Sequence, residues 1–125
     1  MIESTVINWL NANNFSAYGE EPHNEFPNEF DTRSEFCVVE KTGSGVENRL
    51  KQATIAVQSY ASTLAQAAEL NEAVIEVMEN MIELSGVTAV KLVSDYAFTK
   101  ESTKQPRYQA VFDIYYYWGE KTWQM

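Results

Sequence analysis

The chain has 125 residues, which is the size of one ordinary domain. Hydrophobic residues make up 45% of the sequence and charged residues 22%, a balance that is typical of a folded core and excludes a disordered or collagen-like chain. Acidic residues number 18 against 9 Lys and Arg, for a net charge of −9. This charge argues against nucleic acid or an anionic membrane as a direct ligand.

The sequence contains one cysteine and one histidine. One cysteine cannot form an internal disulfide, and one histidine cannot build a zinc site alone, so we expect neither a disulfide scaffold nor a zinc module. A single cysteine does not indicate whether the protein resides in an oxidising or a reducing compartment. The first residues carry no basic start and no apolar run, and no window approaches the roughly 18 apolar residues of a membrane span. The sequence therefore predicts neither a signal peptide nor a membrane segment.

The N-terminal segment, residues 3–13, predicts a short helix. Its apolar side chains recur at the spacing of one helix face, at Ile2, Val6, Trp9 and Leu10.

The helical periodicity then disappears over residues 15–35, which carry six acidic residues against one basic residue. This segment predicts an exposed acidic arm. Within it, Phe26 and Phe30 need burial, either against their own sheet or against another subunit.

Two strands follow the acidic arm. Residues 36–42 are rich in β-branched and aromatic side chains and predict strand one, and the turn of Gly43, Ser44 and Gly45 should end it. Residues 51–61 alternate apolar and polar positions, which predicts strand two. The two strands should pair as a hairpin around the glycines.

Residues 63–84 switch to the helical period and predict a helix of about 22 residues, roughly 33 Å long. Thr63 with Gln66 fits a capping box at its start, and Gly86 fits a stop signal after its end. The apolar face, which should pack on the core, contains Ala67, Leu70, Val74, Val77, Met78 and Met81.

The opposite face of this helix carries an acidic stripe, defined as Glu69, Glu72, Glu76, Glu79 and Glu83. No Lys or Arg between residues 52 and 90 neutralises it. The stripe is interpreted as a solvated face or as a solubility device, because exposed charges contribute little to stability. Alternatively, it meets a basic surface on a neighbour or lines a passage for DNA.

The last two strands are predicted over residues 87–98 and 108–118, which alternate in the same way. The loop between them is polar and basic, with Lys100, Lys104 and the adjacent Arg107. The order of elements predicts an α+β fold: a four-stranded antiparallel sheet with one long helix packed on one face and a short N-terminal helix.

One domain should therefore cover residues 1–125. Within it we expect the N-terminal helix and acidic arm over residues 1–35, a core over residues 36–118 and a C-terminal tail over residues 119–125.

No pattern predicts a catalytic site. His23 lies in the acidic arm with no nucleophile near it, and we interpret it as a solvated loop histidine. Cys37 lies in an apolar strand and should behave as a small hydrophobe. The glycine turn lacks the spacing of a phosphate-binding loop. The aromatic run over residues 115–118 must alternate between two faces, so half of it suits the core and half an interface. We expect a protein that is not an enzyme and holds no cofactor or metal.

Four motifs carry a family resemblance. They are Glu40-x-Thr42-Gly43-x-Gly45, then Ala53-Thr54-x-Ala56-x-x-x-Tyr60-Ala61, an Ala-rich helix with Ala65, Ala67, Ala68 and Ala73, and Arg107-Tyr108-Gln109-Ala110-x-Phe112-x-x-x-Tyr116. In this order and spacing, over roughly residues 36–118, the chain resembles the tail-terminator or tail-completion proteins of long-tailed bacteriophages. In phages of Gram-positive bacteria such small chains are often called minor capsid proteins.

The resemblance implies a viral structural protein without enzymatic activity. Such a subunit forms a ring, typically hexameric, at the head-proximal end of the tail tube, where it stops tube growth and takes part in head-tail joining. It would assemble in the bacterial host cytoplasm, reside at the head-tail junction of the virion, and contact the tail tube protein and head-completion or connector proteins. The alternatives are a head-side connector or minor capsid subunit and, from another class, a small ligand-binding or enzymatic α+β domain.

A ring subunit must offer complementary surfaces on separate parts of one chain. The acidic candidates are the stripe and the arm, and the basic candidate is the loop of the last hairpin. Candidate interface residues are therefore Phe26, Phe30, Gly43, Gly45, Glu69, Glu72, Glu76, Glu79, Glu83, Lys100, Lys104 and Arg107.

Overall fold

The computed structural model describes residues 1–20, 35–47, 50–97 and 105–117. In chain order they form α1 (Ile2–Ala12), β1 (Ala17–Tyr18), β2 (Phe36–Glu47), β3 (Leu50–Tyr60), α2 (Leu64–Glu79), a 3-10 turn (Asn80–Glu83), β4 (Val87–Ala97) and β5 (Arg107–Tyr117). The strands form one sheet in the order β1-β2-β3-β5-β4. The fold is α+β, as the sequence predicts.

The sheet differs from the predicted four-stranded antiparallel one, because it has a fifth strand and is mixed. The short β1 pairs in parallel with β2, with Ala17 opposite Cys37. The Cys37 backbone N–H donates to the Ser16 carbonyl over 2.8 Å. The side-chain oxygen of Asn11 accepts from the Ala17 backbone N–H, also over 2.8 Å. Contacts with α1 and β2 thus hold a two-residue strand that is too short to show a period.

The prediction that the glycines end strand one is wrong. β2 continues through Gly43 and Gly45, and its pairing with β3 extends to Glu47 opposite Leu50. The ladder shifts by one residue between Lys41 and Gly43, which is a β-bulge, a common setting for glycine inside a strand. Among the described glycines only Gly86 has a positive φ. The strand therefore continues through both glycines, and the chain does not reverse direction there.

The long helix begins where the sequence predicts. Thr63 is the N-cap of α2, and its Oγ1 accepts from the Gln66 backbone N–H over 3.1 Å. The α-helical part ends at Glu79, and residues 80–83 continue as a 3-10 turn, a frequent way for the last turn of a helix to tighten. The predicted single helix of about 22 residues is thus a 16-residue helix followed by a four-residue turn.

The core lies between both helices and one side of the sheet, here called the helix face. Trp9 joins the helices, because its indole N–H donates to the Val77 carbonyl over 2.8 Å. The sheet contributes alternate residues of its central strands, and the fully buried side chains include Val6, Leu10, Ala53, Ile55, Val57, Val74, Met78, Met81, Ala110, Phe112 and Ile114. The other side of the sheet, here called the far face, carries Thr54, Gln58 and Tyr60 on β3.

Asn71 is the exception on the buried face of α2. It is only 1% exposed, and its Oδ1 has no hydrogen-bond partner among the residues that the structure describes. A buried unsatisfied carbonyl costs about 1–3 kcal/mol, and leucine favours helix more than asparagine does. We therefore expect Asn71→Leu to raise the free energy of unfolding by about 1 kcal/mol in urea denaturation. Asn71→Asp, which buries a charge instead, should lower it. A leucine variant less stable than the wild type would contradict this.

Candidate interaction surface

The structure places the acidic stripe on the outer side of α2 and its 3-10 turn. All five glutamates are exposed, whereas the opposite side of the helix buries Ala67, Val74 and Met78. The predicted exposed face is therefore present. Phe26, Phe30, Lys100 and Lys104 lie outside the described residues.

The remaining candidates lie on the far face. Gly43 is opposite Thr54, and Gly45 is opposite Gln52. Arg107 begins β5 opposite Tyr60. The structure thus brings Gly43, Gly45 and Arg107 to one side of the sheet and separates them from the acidic stripe.

Arg107 is bound to the sheet itself. Its Nη1 donates to the Tyr60 hydroxyl over 2.6 Å, and its guanidinium carbon lies 5.5 Å from the centroid of the Tyr60 ring. Tyr60 in turn stacks on Phe36, with ring centroids 4.6 Å apart and planes 8° apart. Phe36, Tyr60 and Val38 form a second buried cluster, with Tyr18 packed against it.

Hydrogen bonds continue from Tyr60 across the far face. The Tyr60 hydroxyl donates to Gln58 Oε1 over 3.3 Å. Gln58 Nε2 donates to Gln109 Oε1 over 2.9 Å, and Gln109 Nε2 donates to the Tyr96 hydroxyl. Tyr60 and Gln109 belong to the family motifs, whereas Gln58 and Tyr96 were not singled out from the sequence. Only the register, which puts Gln58 opposite Gln109, brings them together.

A hollow of about 570 Å³ lies at the other end of the far face, and it is lined by Gly45, Val46, Leu50, Gln52, Thr54, Asp113 and Tyr115. Asp113 Oδ1 accepts two hydrogen bonds in it, from Gln52 Nε2 over 2.8 Å and from Thr54 Oγ1 over 2.9 Å. Sequence reasoning included Gly45 but missed Asp113, because a polar residue in an alternating strand looks like an ordinary solvent-facing position. The hollow combines one carboxylate, one aromatic ring and apolar walls.

The outer part of β4 forms an exposed apolar edge. In the described part of the chain β4 pairs only with β5, and every residue from 91 to 97 is exposed. Three of these are large and apolar, namely Leu92, Val93 and Tyr96, exposed by 37%, 56% and 46%. We call these three residues the β4 patch.

The alternation predicted for β4 is wrong beyond Leu92. A bulge at Val93, between Leu92 and Ser94, shifts the ladder. Leu92 therefore lies opposite Phe112 on the helix face, whereas Tyr96 lies opposite Gln109 on the far face. The patch consequently has side chains on both sides of the edge.

Cys37 is fully buried. Burial raises the pKa of its thiol from the ordinary value of 9.0 to about 12, although a hydrogen bond with Ser59 acts in the opposite direction. The thiol is therefore protonated at neutral pH, and the prediction of a small buried hydrophobe is confirmed.

Across residues 1–20, 35–47, 50–97 and 105–117, His, Cys, Asp and Glu form no group of three or more that could hold a metal ion. No helix among the same residues is long and apolar enough to cross a membrane.

No family model matches the chain, and no curated protein matches it.

Proposed function

We propose that the protein is a structural subunit of the virion of a long-tailed bacteriophage. In this proposal it forms a ring, typically hexameric, at the head-proximal end of the tail tube, ends tube growth and joins the tail to the head. Two things support the proposal: the motif resemblance of residues 36–118 and the β4 patch.

The β4 patch is the observation that carries the proposal. An exposed edge strand with large apolar side chains is a template for association with another chain. Val93 and Tyr96 are each about half exposed. A ring subunit needs such a surface, because each copy presents one surface to a different surface of its neighbour.

The motif residues also fall into register across three strands. Gly43 lies opposite Thr54 on β3, and Glu40 lies opposite Ala56. At the end of β3, Tyr60 lies opposite Arg107 of β5. Motifs that are distant in sequence thus contribute to one surface, which supports treating them as one functional unit.

Charge supplies the orienting contact in this proposal. The exposed acidic stripe supplies negative charge, and the loop with Lys100 and Lys104 supplies positive charge. Each of them meets the opposite charge on a neighbouring subunit or on a head or tail partner. Because Arg107 is bound to Tyr60, we assign the contact to the two lysines. Rim charges set association rate and salt sensitivity more than affinity. Acidic surface facing the passage would keep DNA from adhering during transit.

Deletion of the coding gene from the phage or prophage that carries it tests the proposed function. We expect tails of abnormal length that are not joined to heads in negative-stain micrographs, and restoration by the wild-type chain. Tails of normal length joined to heads would contradict the proposal.

Complementation with Val93→Glu tests the patch. A charge at the centre of an apolar interface should lower the yield of joined particles at least about tenfold, since an uncompensated interfacial charge costs several kcal/mol. Leu64→Glu is the matched control, because Leu64 is 46% exposed at the start of α2, outside the acidic stripe, and Val93 is 56% exposed. The control should restore joining. Equal yields for the two variants would remove the β4 patch from the interface.

A further inference from the structure

The hollow on the far face shares no residue with the β4 patch or with the acidic stripe. We propose that it is a recognition site for a guanidinium or alkylammonium side chain, supplied by a basic segment of a partner protein. The inference rests on the chemistry of the hollow and does not require the virion role.

The carboxylate of Asp113 is held ready for such a cation. Both of its hydrogen bonds, from Gln52 Nε2 and Thr54 Oγ1, converge on Oδ1. Oδ2 receives no hydrogen bond from the residues that the structure describes, and Asp113 is half-buried at the hollow. A fixed carboxylate with one oxygen available favours a charged donor, because charge-assisted hydrogen bonds are about twice as strong as neutral ones.

Among the described residues, the base that the sheet register places beside Asp113 does not pair with its carboxylate. Lys91 is directly opposite Asp113 in the β4–β5 register. Its Nζ instead lies over the ring of Tyr115, 5.6 Å from the centroid. Tyr115 also lines the hollow, so its ring is within reach of a cation, an interaction worth about 0.5–2 kcal/mol. Lys91 therefore competes only weakly with an incoming cation for the Tyr115 ring and the Asp113 carboxylate.

The walls of the hollow suit the aliphatic stem of a basic side chain. Val46 and Leu50 supply apolar surface, and Lys and Arg commonly bury their methylene groups on such surface while the charged end stays solvated. Gly45 leaves room beside Gln52. A Cβ added at Gly45 would meet only Gln52 Oε1, at 3.6 Å, which is ordinary contact. Substitution there would thus fill the hollow without forcing the backbone to move.

Charge selects the partner. The chain has a net charge of −9, and the charged residue that lines the hollow is Asp113, so an anionic ligand would be repelled. A neutral amide would leave Asp113 Oδ2 without a charged donor. The occupant is therefore a cationic side chain, and the long-range field of the protein would raise its association rate.

An NMR titration of the full chain tests the proposal, with N-acetyl-arginine amide as the probe and N-acetyl-citrulline amide as its uncharged analogue. We expect the arginine probe to shift the backbone amide signals of Gln52, Thr54 and Asp113, with a Kd on the order of 1 mM. The citrulline probe should bind at least about tenfold more weakly. Absence of shifts with the arginine probe, or equal affinity for both probes, would overturn the proposal.

Variants of the hollow identify the groups responsible. Asp113→Asn keeps an acceptor for Gln52 and Thr54 but removes the charge, and it should weaken binding of the arginine probe at least about tenfold. Gly45→Leu should block the hollow, whereas Lys91→Gln should tighten binding by removing the competing cation. Each variant is compared through its spectrum, which reports folding independently of binding. Unchanged affinity in Asp113→Asn would overturn the assignment.

Discussion

Replacing Tyr60 with alanine should lower the free energy of unfolding by about 3–5 kcal/mol, the range for deleting a buried aromatic ring. Tyr60 is completely buried and stacks on Phe36 at a centroid distance of 4.6 Å. Its hydroxyl accepts a hydrogen bond from Arg107 and donates one to Gln58. Alanine therefore leaves a cavity and also removes a hydrogen-bonding partner from both polar neighbours.

Tyr60→Phe separates these two contributions. Phenylalanine keeps the stacking but loses the hydroxyl, so the expected loss is smaller, about 1–3 kcal/mol. Urea denaturation of the three proteins measures both differences. If the phenylalanine variant loses as much as the alanine variant, hydrogen bonding rather than ring packing dominates at this position. A loss below about 1 kcal/mol for alanine would contradict the expected burial.

Alkaline conditions should destabilise the protein through Cys37. Burial raises the pKa of its thiol to about 12 in the folded chain, against 9.0 as the ordinary value. Below about pH 9 the thiol is protonated in both states, and its contribution to stability is complete. Above that pH the unfolded chain loses the proton while the folded chain keeps it. The free energy of unfolding should therefore fall with a slope of up to about 1.4 kcal/mol per pH unit, until the pH passes the folded pKa.

Cys37→Ala supplies the control for this prediction. Urea denaturation at intervals from pH 7 to about pH 11 should give a steeper alkaline decline for the wild type than for the variant. Burial and the nearby Glu3 also raise the pKa of Tyr116, but that contribution is common to both proteins and cancels in the difference. The absolute stability of the variant is not the test, because alanine also leaves a small cavity. Parallel pH curves would show that Cys37 does not contribute.

Local signals in the sequence were sufficient to predict several elements. The cap at Thr63 is a property of four consecutive residues, and the apolar period of α2 follows directly from the residues it buries. The alternation of β5 correctly puts Phe112 and Ile114 on the helix face. In each case the determining interaction is short in sequence or repeats regularly, so the pattern alone was enough.

The errors arose where distant contacts decide the structure. Gly43 and Gly45 favour a turn by themselves, but pairing with Thr54 and Gln52 keeps them extended. The two-residue β1 exists because Asn11 and Cys37 bond to its backbone or to the residue before it.

The candidate site was harder to predict than the fold. The exposed position of the acidic stripe followed from helix periodicity. Asp113, in contrast, is distinguished only by the donors that register brings to it from β3. No spacing along β5 indicates that partnership. The bulge at Val93 likewise changes which side of the edge strand Tyr96 occupies. An alternating sequence pattern does not show where such an extra residue is inserted.

The row of hydrogen bonds across the far face runs in one direction only. It starts at Arg107, whose guanidinium can donate but never accept, so the Tyr60 oxygen accepts there, and the Tyr60 hydroxyl donates to Gln58. That in turn fixes the amide orientation of Gln58, and Gln58 fixes that of Gln109. Rotating either amide by half a turn would bring two donors or two acceptors face to face. The charge at the start of β5 thereby sets the orientation of side chains on β3 and β5 and of the hydroxyl they meet on β4.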